Sequence, residues 1–303
     1  MRVFVTGASG FLGSWLVEAL MERGHTVAIL LRPNADTWRL AGIADQAERI
    51  EASFDQFGEL EARVRHFQPD AVAHLGWRGV GNADRNSPTQ SQNIVDSTRL
   101  VELCASLRVK SFIGAGSQAE YGPYNRAIKE DDAARPTTLY GMAKLAAGTM
   151  AAELCRQNGV RFAWMRVFST YGPKDHDHWL IPDAIRTLKA GRRMSLTMAE
   201  QLWGFLHARD AATGFRTVIE SESATGVFNL GSPEAPPLRD TIIQIRDLVD
   251  PAGELGFGDI PYRPDQVMVL KADVTRLQSL GWQAGIGLPA GLQETVSFYA
   301  ATK

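Results

Sequence analysis

The segment Thr6-Gly7-Ala8-Ser9-Gly10-Phe11-Leu12-Gly13 constrains this chain more than any other, because its glycines stand at G-x-x-G-x-x-G spacing between two elements of different periodicity. Ahead of it, Val3 to Thr6 is a short apolar, β-branched run of the kind that forms a buried strand. Behind it, Leu12, Leu16, Ala19 and Leu20 recur at helical spacing and stop at Gly24. Glycine permits the tight turn, a close backbone approach to a pyrophosphate, and close helix–strand packing. A helix N-terminus adds free N–H groups and partial positive charge for an anion. The same triplet also serves as a plain tight turn. Its place at the first strand–helix junction is what makes it a dinucleotide-binding candidate.

Apolar runs recur at Val27 to Leu31, Ala71 to Leu75, Phe112 to Ala115 and Arg161 to Phe168, with longer amphipathic stretches between them. This alternation predicts an α/β chain with a parallel sheet covered on both faces. Ligands of such sheets bind beyond the carboxyl ends of the strands, so Gly7, Arg32, Gly76, Ser117 and Ser169 should ring one site. After Tyr171-Gly172-Pro173 the apolar runs lose their regular order. Residues 1–173 are read as the dinucleotide-binding domain, with 205–231 returning to it through the strand-like Val227-Phe228-Asn229-Leu230-Gly231. Residues 174–204 and 232–303 are read as a smaller cap over the substrate.

Composition adds exclusions. With 32 Lys and Arg against 34 Asp and Glu the formal net charge is −2, and no basic run extends beyond pairs such as Arg192-Arg193. Neither nucleic acid nor a membrane surface is an expected partner. No apolar stretch approaches the roughly 18 residues of a membrane helix. The sequence opens on Arg2-Val3-Phe4-Val5 without a signal-like segment, so a cytoplasmic location is the expectation. Cys104 and Cys155 lie in apolar, helix-like stretches and read as buried free thiols.

The end of the second strand bears on cofactor choice. An NAD site commonly has Asp or Glu there for the ribose 2′-hydroxyl, whereas an Arg accommodates a 2′-phosphate. Here the run is Ala28-Ile29-Leu30-Leu31-Arg32-Pro33. Arg32, with Arg39 as helper, favours NADP(H), with NAD the alternative; a solvated loop arginine is the competing reading. Further on, Tyr140 and Lys144 lie one helical turn apart on one face. A phenol of ordinary pKa about 10 is poorly matched to proton transfer at neutral pH, and a nearby ammonium favours its phenolate. Ser117 ends an apolar strand with a hydroxyl that can hold a carbonyl oxygen beside Tyr140.

Taken together, these features resemble the extended short-chain dehydrogenase/reductase family, the NAD-dependent epimerase/dehydratase group acting on nucleotide sugars. The likeness runs nearly end to end. It includes the glycine loop, Asn93, Ser117 with Tyr121-Gly122, the Tyr140/Lys144 pair and Arg166-Val167-Phe168-Ser169-Thr170-Tyr171-Gly172-Pro173. It continues through Phe205-Leu206-His207-Ala208-Arg209-Asp210, Val227 to Gly231, and Arg263-Pro264-Asp265-Gln266 followed by Leu280-Gly281-Trp282. The resemblance implies a Rossmann doubly wound sheet with a smaller C-terminal α/β substrate-binding domain. It implies cofactor contacts from Gly7, Ser9, Gly10, Phe11, Leu12 and Gly13, from Arg32, Ser53, Leu75 and Gly76, and from Asn93, Tyr140, Lys144 and Phe168. Tyr140, Lys144 and Ser117 become the catalytic set. Substrate contacts fall to Ser117, Gln118, Ser169, Trp203 and Arg263, the last matching the arginine that grips the diphosphate. No metal is expected: Asp175, His176, Asp177 and His178 are close in sequence but read as solvated residues of a loop near the sugar.

The resemblance also narrows the reaction. Family dehydratases carry an Asp-Glu pair directly after the strand-end hydroxyl, where this chain has Gln118 and Ala119. Glu120, one further along, is expected to point elsewhere. Family epimerases hold NAD tightly, whereas Arg32 suggests exchange with NADPH. The segments 116–122 and 201–207 look most like nucleotide-linked 4-keto-deoxyhexose reductases of the abequose-synthase type. The alternatives are a nucleotide-sugar 4-epimerase, a non-catalytic NADP(H) sensor of the same fold, and a reductase of a non-sugar ketone. Ser53 stands where many relatives have an adenine-reading Asp, Ser169 replaces a common Asn, and Trp203 falls where many epimerases have an Arg; nucleotide and sugar stay open. Helices near 93–107 and 140–156 carry apolar residues on more than one face, among them Val101, Leu103, Leu145 and Met150. Such helices pair into a four-helix interface in this family, so a homodimer is expected.

Overall fold

The apolar runs become strands buried on both faces. The computed structural model describes residues 1–263 and 266–301, apart from the side chain of Asn82. Strands β1 (Arg2–Thr6), β2 (Thr26–Leu31), β3 (Glu48–Glu51), β4 (Ala71–His74), β5 (Ser111–Ser117) and β6 (Arg161–Val167) join the returning strand Gly226–Leu230 in one seven-stranded sheet. Its order is Gly226–Leu230, β6, β5, β4, β1, β2, β3, and every pairing is parallel. The order reverses at β1, which is the doubly wound Rossmann pattern.

Between the strands run α1 (Phe11–Met21), α2 (Phe57–Phe67), α3 (Gln90–Ser106) and α4 (Leu139–Gln157); later come α5 (Leu180–Lys189), α6 (Ala208–Glu220) and α7 (Leu238–Val249). Strand side chains alternate between two cores. Val3, Val5, Val27, Ile29 and Leu31 pack with Leu16 and Leu20 of α1 and Phe215 of α6. Phe4, Ala28, Leu30 and Ile50 pack with Leu60 of α2, Leu100 and Val101 of α3, and Ala147 and Ala151 of α4. The β3 edge was not foreseen from sequence, because in Glu48-Arg49-Ile50-Glu51 only Ile50 is buried. A third core gathers Ile181 and Ile185 of α5, Ile242 and Ile245 of α7, and Leu292 and Val296 of the last helix, Leu288–Ala301. Short parallel pairs flank it, Met194–Leu196 with Leu255–Phe257 and Leu202–Trp203 with Val269–Leu270.

Helices α3 and α4 lie side by side on the sheet. Two residues expected to face a second subunit, Val101 and Leu103, are instead buried in this one, because they cover the β-sheet face. Leu145 is half-buried and Met150 exposed, as are Val95 and Met142.

What brings α4 close to β5 is the indole of Trp164 on β6. It lies where side chains at Gly114 and Gly116 of β5 would be, and a Cβ on Gly148 of α4 would stand 2.7 Å from its ring. Gly114→Ala is expected to lower the unfolding free energy by about 1–3 kcal/mol through overpacking, measured by denaturant titration. Glycine-to-alanine in a strand free of such a neighbour is stabilising, so a neutral or positive result would remove the Trp164 slot from this account.

Candidate active site

The glycine loop crosses from β1 into α1 at the carboxyl edge of the sheet. Gly7 has φ +72°, and a Cβ there would lie 2.6 Å from the Gly76 amide nitrogen. A Cβ on Gly13 would run into the Gly7 carbonyl. The α1 N-cap, Gly10, offers no side-chain cap, and no acidic residue stands in the first turn. Its leading N–H groups thus lack the usual capping partner and face a cradle without side chains, which fits the pyrophosphate of a dinucleotide. Ser9 and Leu12 are half-exposed beside it, whereas Phe11 is buried. Leu75 and Gly76, half-exposed after β4, complete the rim.

A buried polar chain holds that rim. The Gly76 N–H donates to Thr6 Oγ1 at 3.1 Å, and Thr6 Oγ1 meets His74 Nδ1 at 2.7 Å. Ser97 donates to the Asn93 carbonyl, so its oxygen receives the N–H of His74 Nε2 at 3.0 Å, and Thr6 donates to Nδ1. Burial foremost, then the charge of Lys144, pushes His74 down to about 3, so it stays neutral. Asn93 grips the backbone of the next loop, accepting from the Arg78 N–H at 2.8 Å and donating to the Arg78 carbonyl at 3.1 Å.

Ser117, Tyr140 and Lys144 come together at the end of β5 and the start of α4. Lys144 Nζ donates to the Ala115 carbonyl at 2.6 Å and sits 3.7 Å from the centre of the Trp77 ring. It is 5.9 Å from the centre of the Tyr140 ring. Burial pulls this ammonium down to about 7, with Glu120 opposing. Burial likewise pushes the Tyr140 phenol up, while its hydrogen bond with the Ser117 hydroxyl and the charge of Arg85 act the other way. The Lys144 ammonium is turned to Ala115 and Trp77, and desolvation is the largest influence on the Tyr140 phenol.

Behind Ser117 lies Glu120, 1% exposed. Its carboxylate accepts from the Ser117 N–H at 2.8 Å, from Trp164 Nε1 at 2.9 Å and from Arg166 Nε at 2.7 Å. Arg166 in turn lies 4.3 Å over the Tyr121 ring, and the Tyr121 hydroxyl donates to Asn229 Oδ1 at 2.7 Å. Glu120 thus points back into the sheet.

The other expected residues are placed unevenly. Arg32 is exposed, with no side-chain partner among the described residues. Arg39 Nε donates to the Lys174 carbonyl at 2.7 Å. Ser53 is half-exposed after β3. Ser169 and Trp203 meet directly, Trp203 Nε1 donating to Ser169 Oγ at 2.8 Å. Phe168 is buried against Tyr121, and Gln118 is half-exposed beside Ser117. Arg263 is exposed, while Pro264 and Asp265 of its motif lie outside the described residues. The solvated reading of the 175–178 loop fails at Asp175, which is buried and pushed up to about 7 by desolvation. Among the described residues no group of three side chains is arranged to hold a metal ion, and no helix is long and apolar enough to cross a membrane.

Sequence reasoning missed Trp77, Arg85 and Gln90. Gln90 Oε1 accepts from Trp77 Nε1 at 2.9 Å, and its Nε2 donates to the Gly79 and Asp84 carbonyls at 2.7 and 3.1 Å. Only the bulky Trp77 so close to a strand end could have drawn notice.

Residues 3–231 match the model described as the NAD dependent epimerase/dehydratase family. Over 98% of its length the chain is 23% identical to UDP-glucuronic acid decarboxylase 1 of Xenopus tropicalis, covering 72% of that protein. It is 21% identical to CDP-abequose synthase of Salmonella muenchen, again over 98% of this chain and covering 97% of that one. The fold matches UDP-glucose 4-epimerase of Thermotoga maritima with a TM-score of 0.91, at 22% identity over 100% of this chain and 99% of that chain.

Replacing the buried carboxylate should be costly whatever the reaction. Glu120→Gln leaves Arg166 without its counter-charge and is expected to destabilise the protein by about 3–5 kcal/mol in denaturant unfolding. A loss under about 1 kcal/mol would mean that Ser117 does not depend on this anchor.

Proposed function

The chain belongs to the NAD dependent epimerase/dehydratase family, and within it we propose NADPH-dependent reduction of the C4 carbonyl of a nucleotide-linked 4-keto-deoxyhexose, with Tyr140 as proton donor. The observation that carries this reading is a buried tyrosine at the start of α4 beside the serine that ends β5, on the sheet edge that also holds the glycine cradle. Likeness along nearly the whole chain to CDP-abequose synthase supports a nucleotide-linked sugar as substrate.

When bound, the nicotinamide supplies the hydride. The residues of this chain do the rest. Gly7, Gly10, Gly13 and the α1 N-terminus would hold the pyrophosphate, Leu75 and Gly76 the path beyond it, and Lys144 the ribose. Ser117 holds the substrate carbonyl oxygen, and Tyr140 releases its proton to that oxygen as charge develops there. Burial favours the protonated form of the Tyr140 phenol, the form that gives its proton to the substrate oxygen. Elimination of water would need a free carboxylate beside Ser117, whereas Glu120 is held by three donors.

For cofactor choice, Arg32 supports NADP(H) over NAD, since it is exposed at the end of β2 where no carboxylate stands. Residues 174–204 and 232–303 serve as the substrate cap, with Ser169, Trp203, Gln118 and Arg263 on its side of the site. Exposed Val95, Met142 and Met150 on α3 and α4 mark the face for a homodimer, to be checked by light scattering.

Calorimetry should find NADPH bound at least about tenfold more tightly than NADH, a difference of ~1.4 kcal/mol, and Arg32→Ala should abolish most of it. Nucleotide-linked 4-keto-6-deoxy sugars should then oxidise NADPH, and Tyr140→Phe should slow turnover by about 10²–10⁴-fold with cofactor affinity retained. Tighter NADH binding, or NAD that survives purification, would move the reading to 4-epimerisation.

A further inference from the structure

Resting on that reading, we propose that Arg85 is an electrostatic positioning residue for the proton donor, its guanidinium supplying the fixed positive charge that keeps the buried Tyr140 phenol able to release its proton. The guanidinium carbon lies 5.4 Å from the centre of the Tyr140 ring. Main chain ties the two residues together, because the Tyr140 N–H donates to the Arg85 carbonyl at 2.8 Å. Next to them, Asn86 Oδ1 accepts from the Leu139 N–H at 3.1 Å. With Gln90 holding Trp77, Gly79 and Asp84, the loop from Trp77 to Asn86 is fastened across the N-terminus of α4. It places an aromatic face on Lys144 and a cation over Tyr140.

Arg85 is placed for no other partner. No ion pair among the described residues includes it, and its Nε is buried without a hydrogen bond. Lys144, the cation that the sequence assigns to this task, is farther from the ring and directed at Ala115 and Trp77. Its ammonium, brought to about 7, is charged only part of the time near neutral pH, whereas a guanidinium stays charged throughout the working range. The groups facing Tyr140 are the Ser117 hydroxyl from β5, Lys144 from its own helix, Trp77 and Arg85 from the loop, and the more distant Glu120. The Glu120 charge is matched by Arg166. The Arg85 charge therefore adds to that of Lys144 at the phenol, and no ion pair among the described residues answers it.

Removing the Arg85 charge raises the phenol's pKa and makes it a weaker acid, so reduction slows at neutral pH and the alkaline limb of its rate profile moves up. The phenolate's ultraviolet absorbance, read after a rapid pH jump and corrected with a Tyr140→Phe partner in each background, isolates Tyr140 without any substrate. In Arg85→Gln its midpoint should rise by about one pH unit, and Arg85→Lys should recover at least half of that shift. An unmoved midpoint in a folded Arg85→Gln protein overturns the proposal. So does an equal shift in Arg85→Gln and Arg85→Lys, which marks a packing role. If the midpoint moves as expected while no 4-keto sugar is reduced, the role of Arg85 stands and the reductase reading falls.

Discussion

The carboxylate of Glu120 is the constraint on which the site depends. An ionised group that is 1% exposed persists only if its oxygens are satisfied, and here three N–H groups do so. One belongs to Ser117 at the end of β5; the other two belong to Trp164 and Arg166 on β6. The strand ends are thus fixed relative to each other by a group that neither strand contains. Because the Trp164 indole must stay in reach of Glu120, its ring lies flat across Gly114 and Gly116, and only a glycine on α4, Gly148, can pass above it. Helix α4 is drawn to the sheet at that point. Tyr140 and Lys144 follow from it, set beside Ser117 by packing and one buried charge together.

The cofactor cradle is secured on a different principle. At Gly7 and Gly13 the backbone segments approach so closely that side chains are excluded, and the polar contacts that hold the adjoining strand ends are neutral. Thr6, His74 and Ser97 form a chain of hydrogen bonds in which His74, driven to about 3 by burial, never takes a second proton at working pH. One edge of the sheet therefore carries a charged anchor at β5 and β6 and a neutral one at β1 and β4. The neutral one stands by the uncapped end of α1, whose first turn holds no acidic residue, an arrangement that suits an anion.

Much of this was legible in the sequence. Continuous apolar runs announced the parallel strands, and glycine spacing announced the turn, because both follow from local rules of burial and backbone freedom. The edge strand β3 was not legible: a single buried Ile50 among charged neighbours has no periodicity to read. Nor was the commitment of Arg39 to Lys174, a contact across 135 positions. Asn93 was expected to contact the cofactor, and its amide holds the Arg78 backbone, a partner that no spacing rule identifies. The Tyr140/Lys144 pair shows the limit most clearly. Helical spacing put them on one face; it could not say that Trp77 would take the ammonium from the other side.

That contact changes how the pair works. Desolvation moves the two ionisations in opposite directions, the ammonium down to about 7 and the phenol up. Burial by itself therefore favours the neutral pair over the charged pair that helical proximity suggests. A tyrosine in such a setting keeps its proton until negative charge appears on a neighbouring oxygen, and then gives it up to that oxygen. This is the demand made by carbonyl reduction, where the base is created by the reaction itself. On the proposed reading, the burial that makes the fold stable also opposes loss of the phenol's proton, while the Ser117 hydroxyl and the Arg85 charge beside the ring act the other way.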